Sequence, residues 1–265
     1  MRELQVDLQI IRDSLGVTKS QTHTDVRVSG ASDLFVDTSI VAGLRRCYIS
    51  DAQLRDSIAL SGVSAADLIA TRIPDPGSVM AGDFAELVAA FAVAALKLPS
   101  DLIMPKKWQL KQDRTKPAPH SDVIQFEMPR APSASTQDEI HCAEVKSKAT
   151  ASNMSQIENA IRDSGRDRTG RLAKTLVWLR ERSFHQDLGT TTTEILQRFI
   201  DLTEYEPIDK TYYAVAVIDS SLVDDEVAAM PTDGYPEGTL VVIAIDDLKA
   251  VYEDVYQAVL EAWDQ

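Results

Sequence analysis

Cysteine is almost missing from this chain. Its 265 residues contain two, Cys47 and Cys142, at neither disulfide nor metal-ligand spacing. That excludes a disulfide-stapled scaffold and a thiolate zinc site, and makes a reducing cytoplasm the expected setting. Histidine is also scarce, with four residues, and His120, His141 and Cys142 match no zinc ligand pattern. The opening stretch MRELQVDLQIIRDSLGVTKS is amphipathic and mixed in charge, without the apolar block and cleavage site of a secretory leader. No apolar run approaches the length of a bilayer span, so no membrane role is expected. The run Ser164-Gly165-Arg166-Asp167-Arg168-Thr169-Gly170-Arg171 lacks the Gly-Lys-Ser/Thr ending of a phosphate-cradling loop, and no nucleotide hydrolysis is expected.

Positive charge is in short supply too. Acids outnumber Lys and Arg by 41 to 27, for a net charge of −14. The deficit is uneven: residues 219–265 hold twelve acids and one base, Lys249, whereas residues 105–117 hold five bases and one acid. Residues 153–182 hold seven bases and four acids. The chain as a whole is therefore no general polyanion binder, but two local segments are basic enough to meet one. The acidic end reads as a solvated surface, or more sharply as a face for a basic protein partner.

What is present is a succession of helical and strand patterns. Leu4, Leu8, Ile11 and Leu15 have helical spacing, although Val6-Leu8-Ile10 also fits a strand. Residues 17–33 are polar and small, and Phe35 to Tyr48 mixes strand and turn signals around Gly43. Ser50 or Asp51 begins a short helix ended by Gly62, Ser64 begins another, and Ile73-Pro74-Asp75-Pro76-Gly77 is a strong break. The break suggests an N-terminal α/β extension over 1–75 and a main domain over 76–265. Gly82 to Leu98 is apolar nearly all round and predicts a buried helix, with one interior acid, Glu86. Lys106 to Lys111 has strand character. Strands follow at Val123–Glu127 and Glu139–Lys146, joined by a flexible loop. A helix through Ile157 and Ile161, a basic loop at 164–171, a helix over Leu172–Leu179 and another near Ile195–Leu202 come next. Apolar strands at 212–218 and 239–245 and a terminal helix complete a layered α/β or α+β domain.

The chemistry concentrates at the end of the 139–146 strand. Residues two apart on a strand share a face, so Glu144 and Lys146 project together with Ile140 and Cys142. Two charges in a core are costly unless they pair or coordinate something. An antiparallel hairpin would bring Asp122, at the entry of its strand, to the same end of the sheet. Taken alone, Glu-x-Lys is common on solvent-facing strands as a weak surface pair; its conjunction with Asp122, the buried-helix acid Glu86 and a following basic helix carries the signal.

In this order, from about Gly82 to Arg182, the segment resembles the PD-(D/E)xK nuclease superfamily, with His120-Ser121-Asp122 in place of the usual Pro-Asp. The pattern Gly82-Asp83-Phe84-Ala85-Glu86, Asp122, Ala143-Glu144-Val145-Lys146, followed by the two late apolar strands, resembles more narrowly the HamA effector nucleases of Hachiman anti-phage defence. The resemblance implies a restriction-endonuclease-like mixed sheet flanked by helices and a metal-dependent DNA endonuclease of low sequence specificity. It implies Mg²⁺ (or Mn²⁺) held by Asp122, Glu144, the Val145 carbonyl and Glu86, with Lys146 as catalytic cation. Lys106, Lys107, Lys111, Arg166, Arg168 and Arg171 would grip the DNA backbone. A helicase partner (HamB-like) would restrain the nuclease. The competing expectation is a catalytically silent nuclease fold that binds DNA or a partner protein.

Overall fold

The computed structural model describes residues 1–201 and 208–263. Its centre is one six-stranded sheet: β1 (Leu15–Lys19), β2 (Thr24–Val28), β3 (Val123–Glu127), β4 (Glu139–Lys148), β5 (Asp209–Asp219) and β6 (Thr239–Ile245). The spatial order is β1-β2-β6-β5-β4-β3. The four inner strands are parallel, and the edge strands β1 and β3 run antiparallel to their neighbours. The continuous apolar runs of β5 and β6 follow from this position, since inner parallel strands are covered on both faces.

Among the described residues, eleven α-helices surround the sheet. In chain order they are α1 (Leu8–Asp13), α2 (Ala31–Phe35), α3 (Thr38–Tyr48), α4 (Asp51–Ser61), α5 (Ala65–Ala70), α6 (Ser78–Leu96), α7 (Gln156–Arg166), α8 (Leu172–Ser183), α9 (Thr193–Ile200), α10 (Val223–Ala229) and α11 (Leu248–Glu261). On one face, Val145, Val215, Val217, Val241 and Ile243 join a core built with α2, α3, α6 and α11. On the other, Ile124, Phe126, Ile140 and Cys142 pack with α8 and α9, and Ala214, Ala216, Leu240 and Val242 pack with α7 and α10. The strand alternation thus divides the molecule into helix, sheet and helix layers.

Several boundaries depart from the sequence expectations. Residues 17–33 contain most of the β1–β2 hairpin; β1 is the edge strand and β2 its inner neighbour, and both keep exposed positions that read as polar. The segment around Gly43 is helix α3, not strand or turn. Gly43 is small there because the N-terminal chain crosses it: a Cβ would lie 2.1 Å from Val6 Cγ2 and 3.2 Å from the Leu4 carbonyl. Lys106–Lys111 forms a short 3₁₀ turn, Lys107–Leu110, instead of a strand. The expected basic loop is the end of α7 followed by a wide π-type turn, Asp167–Arg171, with Gly170 at φ 133°. Leu202, the expected end of α9, lies outside the described residues. Both sides of the Pro-rich break share one sheet, because β2 pairs with β6.

Contrary to the expectation that no apolar run approaches a bilayer span, helix α6 is long and apolar enough by composition to cross one, but it is largely enclosed between the sheet and the other helices of its layer. Phe84 meets Phe35 edge-on at 5.4 Å and Tyr252 at 6.3 Å. In an open helix, Gly→Ala stabilises by about 1 kcal/mol. Here the blocked Cβ reverses the sign: Gly43→Ala is expected to lower stability by about 1–3 kcal/mol through overpacking, as measured by urea unfolding.

Candidate metal centre

The register of two strands builds the site. Val123 pairs with Ala143, so Asp122 stands beside Glu144 at the end of the hairpin. The Val145 amide donates to Asp122 Oδ2 at 2.8 Å. Amide and carbonyl of one strand residue point to the same side. The Val145 carbonyl therefore also faces the edge where β3 has ended. Lys146, next on β4, donates to Glu144 Oε1 and lies 3.3 Å from Asp163 Oδ2.

Glu86 reaches the same place from α6 on the opposite face. It is 5% exposed, and its Oε2 accepts from Trp108 Nε1 at 2.9 Å and meets Lys107 Nζ at 3.1 Å. Glu86, Asp122, Val145 and Lys146 line a cleft of about 890 Å³. Glu144 is only 2% exposed and is gripped on its second oxygen by Arg171.

Burial and mutual repulsion set the electrostatics. Burial, followed by repulsion from Asp122, raises the Glu144 pKa to about 7 against the attraction of Lys146 and Arg171. Burial likewise raises Glu86 to about 8, although Lys107 opposes it; Asp122 and Asp83 add to the rise. Burial pulls Lys146 down, but Glu144, Asp122 and Asp163 prevail and its pKa lies above the ordinary lysine value. Lys146 is accordingly a cation at neutral pH. Glu86, Asp122 and Val145 line the cleft and Glu144 is buried beside them; oxygen groups of this kind are hard donors of the type a divalent cation such as Mg²⁺ takes.

The structure thus brings Glu86, Asp122, Glu144, Val145 and Lys146 together, but it revises the DNA-gripping assignments. Lys106, Lys107 and Lys111 do not form an outward basic strip. Their side chains are buried and paired with Glu3, Glu86 and Asp83 respectively. The 3₁₀ turn wraps against α6, whose carboxylates would otherwise lack counter-charges. Arg171 also points inward, to Glu144 and Asp167. Arg166 and Arg168 remain at the surface, paired with Asp163 and Glu237.

Asp163, Ser121, Asp167 and Trp108 also belong to the surroundings of the site, in roles not legible from the sequence pattern. Asp163, Asp167 and Arg171 recur every four residues, a spacing that could have been noticed had 164–171 not read as a loop.

A second cluster, Glu127, Glu139 and His141, has metal-ligand residue types, but its groups are accounted for internally. Burial holds the His141 pKa below its ordinary value. The neutral ring can donate from Nε2 to Glu127 at 3.2 Å and accept at Nδ1 from Tyr213 at 3.4 Å. Glu139 accepts from Thr211 and from Lys97.

No curated protein matches the chain. The family model described as HamA matches residues 16–259, from the β1–β2 hairpin to the last turn of α11, and the chain belongs to the HamA family.

Proposed function

We propose that this protein is a divalent-metal-dependent DNA endonuclease of the PD-(D/E)xK type, acting as the effector of Hachiman anti-phage defence under restraint by a helicase partner. The observation that carries the reading is the convergence of Asp122, Lys146 and Glu86 on one cleft at the β4 end, with Glu144 buried beside it and bound to Lys146. Membership of the HamA family supports the defence role.

Asp122, Glu144 and the Val145 carbonyl would hold the ion, with Glu86 completing its surroundings. When bound, the ion supplies Lewis-acid activation of the phosphoryl group and of water. In phosphodiester hydrolysis, water oxygen bonds to phosphorus as one P–O ester bond breaks; the water gives up a proton and the leaving oxygen gains one. Lys146 is suited to orient the attacking water and offset the charge that grows on the phosphoryl oxygens. Its raised pKa argues against a role as the base that removes the proton. Asp163 holds the ammonium from the other side. Glu86 and Glu144 must lose their protons before they can serve as ligands.

Purified protein, alone and after release from its helicase partner, should cleave plasmid and linear DNA with Mg²⁺ or Mn²⁺. Lys146→Ala is expected to reduce the rate by about 10²–10⁴-fold, and Glu144→Gln to abolish detectable cleavage. If the wild type cuts no better than the Glu144→Ala/Lys146→Ala double variant, the silent-adaptor reading takes its place.

A pH prediction follows from the raised carboxyl pKa values. The unfolded reference for both glutamates is 4.5, against about 7 and about 8 in the fold. Between those limits the folded state binds more protons, so metal-free stability should decline as pH rises. Added Mg²⁺ takes over the role of the protons. Its stabilising effect on the thermal midpoint should therefore be larger at pH 8 than at pH 6, and Glu86→Gln should flatten the metal-free decline.

A further inference from the structure

We propose that Asp167 is a positioning residue for the metal centre, fixing both ion-facing strand carboxylates from a single buried group; the inference rests on the nuclease reading above. The Asp167 side chain is fully buried, on the π-type turn between α7 and α8. A buried carboxylate is retained at a cost in desolvation, so its partners indicate its use.

Those partners lead to the two strand ligands. Asp167 Oδ1 accepts from Ser121 Oγ at 2.6 Å and from Arg171 Nε at 2.8 Å, and Oδ2 accepts from Arg171 Nη2 at 2.7 Å. Ser121 adjoins Asp122. Its backbone is fixed further by Thr175 Oγ1 on the amide at 3.2 Å and by Lys107 Nζ on the carbonyl at 2.9 Å. Lys107 also meets Glu86, so the same anchor adjoins the third acid. Along the other arm, Arg171 Nη2 continues to Glu144 Oε2.

The arrangement has a second consequence. An ion at Glu144 must share that carboxylate with Arg171 or displace it. Asp167 gives the guanidinium a bidentate partner that remains when Glu144 turns to the ion. Without Asp167, Asp122 is less firmly set and Arg171 is left to compete for Glu144. Both effects weaken ion binding. A merely structural role, tying α7 and α8 to the sheet, would lower stability but leave the affinity of the folded protein unchanged.

The test is Mn²⁺ binding to the full chain, followed by electron paramagnetic resonance, with the thermal midpoint and near-ultraviolet circular dichroism recorded alongside. Asp167→Asn preserves shape but cannot accept both Arg171 contacts. It is expected to weaken Mn²⁺ binding by about 10-fold or more, the usual consequence of removing a group that supports a ligand. Ser121→Ala leaves Arg171 untouched and removes the Oγ bonds to Asp167 and to Thr175 Oγ1, the latter at 2.9 Å; it is expected to weaken binding by about 5-fold or more. A dissociation constant for folded Asp167→Asn within about twofold of wild type would overturn the proposal. Should that variant not fold, unchanged binding by Ser121→Ala would overturn it instead. Wild-type protein is titrated first against Asp122→Asn and Glu144→Gln: if these three bind Mn²⁺ alike, the metal-centre reading itself fails, and this inference with it.

Discussion

Three carboxylates, Glu86, Asp122 and Glu144, are gathered at one end of β4 with little solvent, and the surrounding structure answers that concentration of charge. Like charges in a low-dielectric site repel far more strongly than at a surface. Two glutamates respond by shifting toward their protonated forms. The fold responds by turning cations inward: Lys107 to Glu86, Lys146 and Arg171 to Glu144, and Lys111 to Asp83 one turn away on α6. Removing either partner of such a pair leaves an uncompensated buried charge, which costs several kcal/mol, on the order of 3–5. The site and the fold around it are therefore held by the same contacts.

The topology explains why these charges can be assembled. β4 is an inner strand, so Glu144 enters a well-packed layer, whereas the antiparallel neighbour β3 starts one residue beyond Asp122 and leaves the Val145 edge open. α6 crosses on the opposite face and presents Glu86 to the same cleft. Ligand sites at the carboxyl ends of parallel strands are a general property of such sheets. Tyr48 extends the buried network away from the cleft, donating to Asp83 at 3.1 Å and meeting the Tyr256 hydroxyl at 2.6 Å. The acid-bearing turn of α6 is thereby joined to α3 and to α11.

Much of the central region was legible in the sequence because it depends on local periodicity. Strand alternation placed Glu144 and Lys146 together, and the hairpin placed Asp122 at the same end, as the Val123–Ala143 pairing has it. The apolar circumference of α6 marked it as buried. The Ser50 and Gly62 caps were equally readable. What could not be read depended on distant partners. β1 and β2 look polar because an edge hairpin is half exposed, and only β6 makes them strands of this sheet. Lys106, Lys107 and Lys111 look like a phosphate-binding strip because a run of bases gives no sign of acids waiting elsewhere. Glu3 and α6 supply those acids in three dimensions.

The inward turn of these bases bears on how the protein could meet nucleic acid. The chain carries a net charge of −14, and four of the six bases first assigned to DNA are occupied beside interior or half-buried acids. The outer surface is consequently poorer in free positive charge than the linear sequence implies. A polyanion approaching it meets repulsion that salt screens only beyond about 8–10 Å. Phosphate contacts supply most of the affinity in sequence-independent DNA binding, so on the proposed reading a nuclease with a net negative charge gains little by meeting DNA alone. A helicase that already holds the DNA would supply that affinity through its own surface, and the acidic 219–265 region offers a basic partner a complementary face. On the proposed reading, restraint and delivery then come from one electrostatic property: the charges that stabilise the site are unavailable to recruit its substrate.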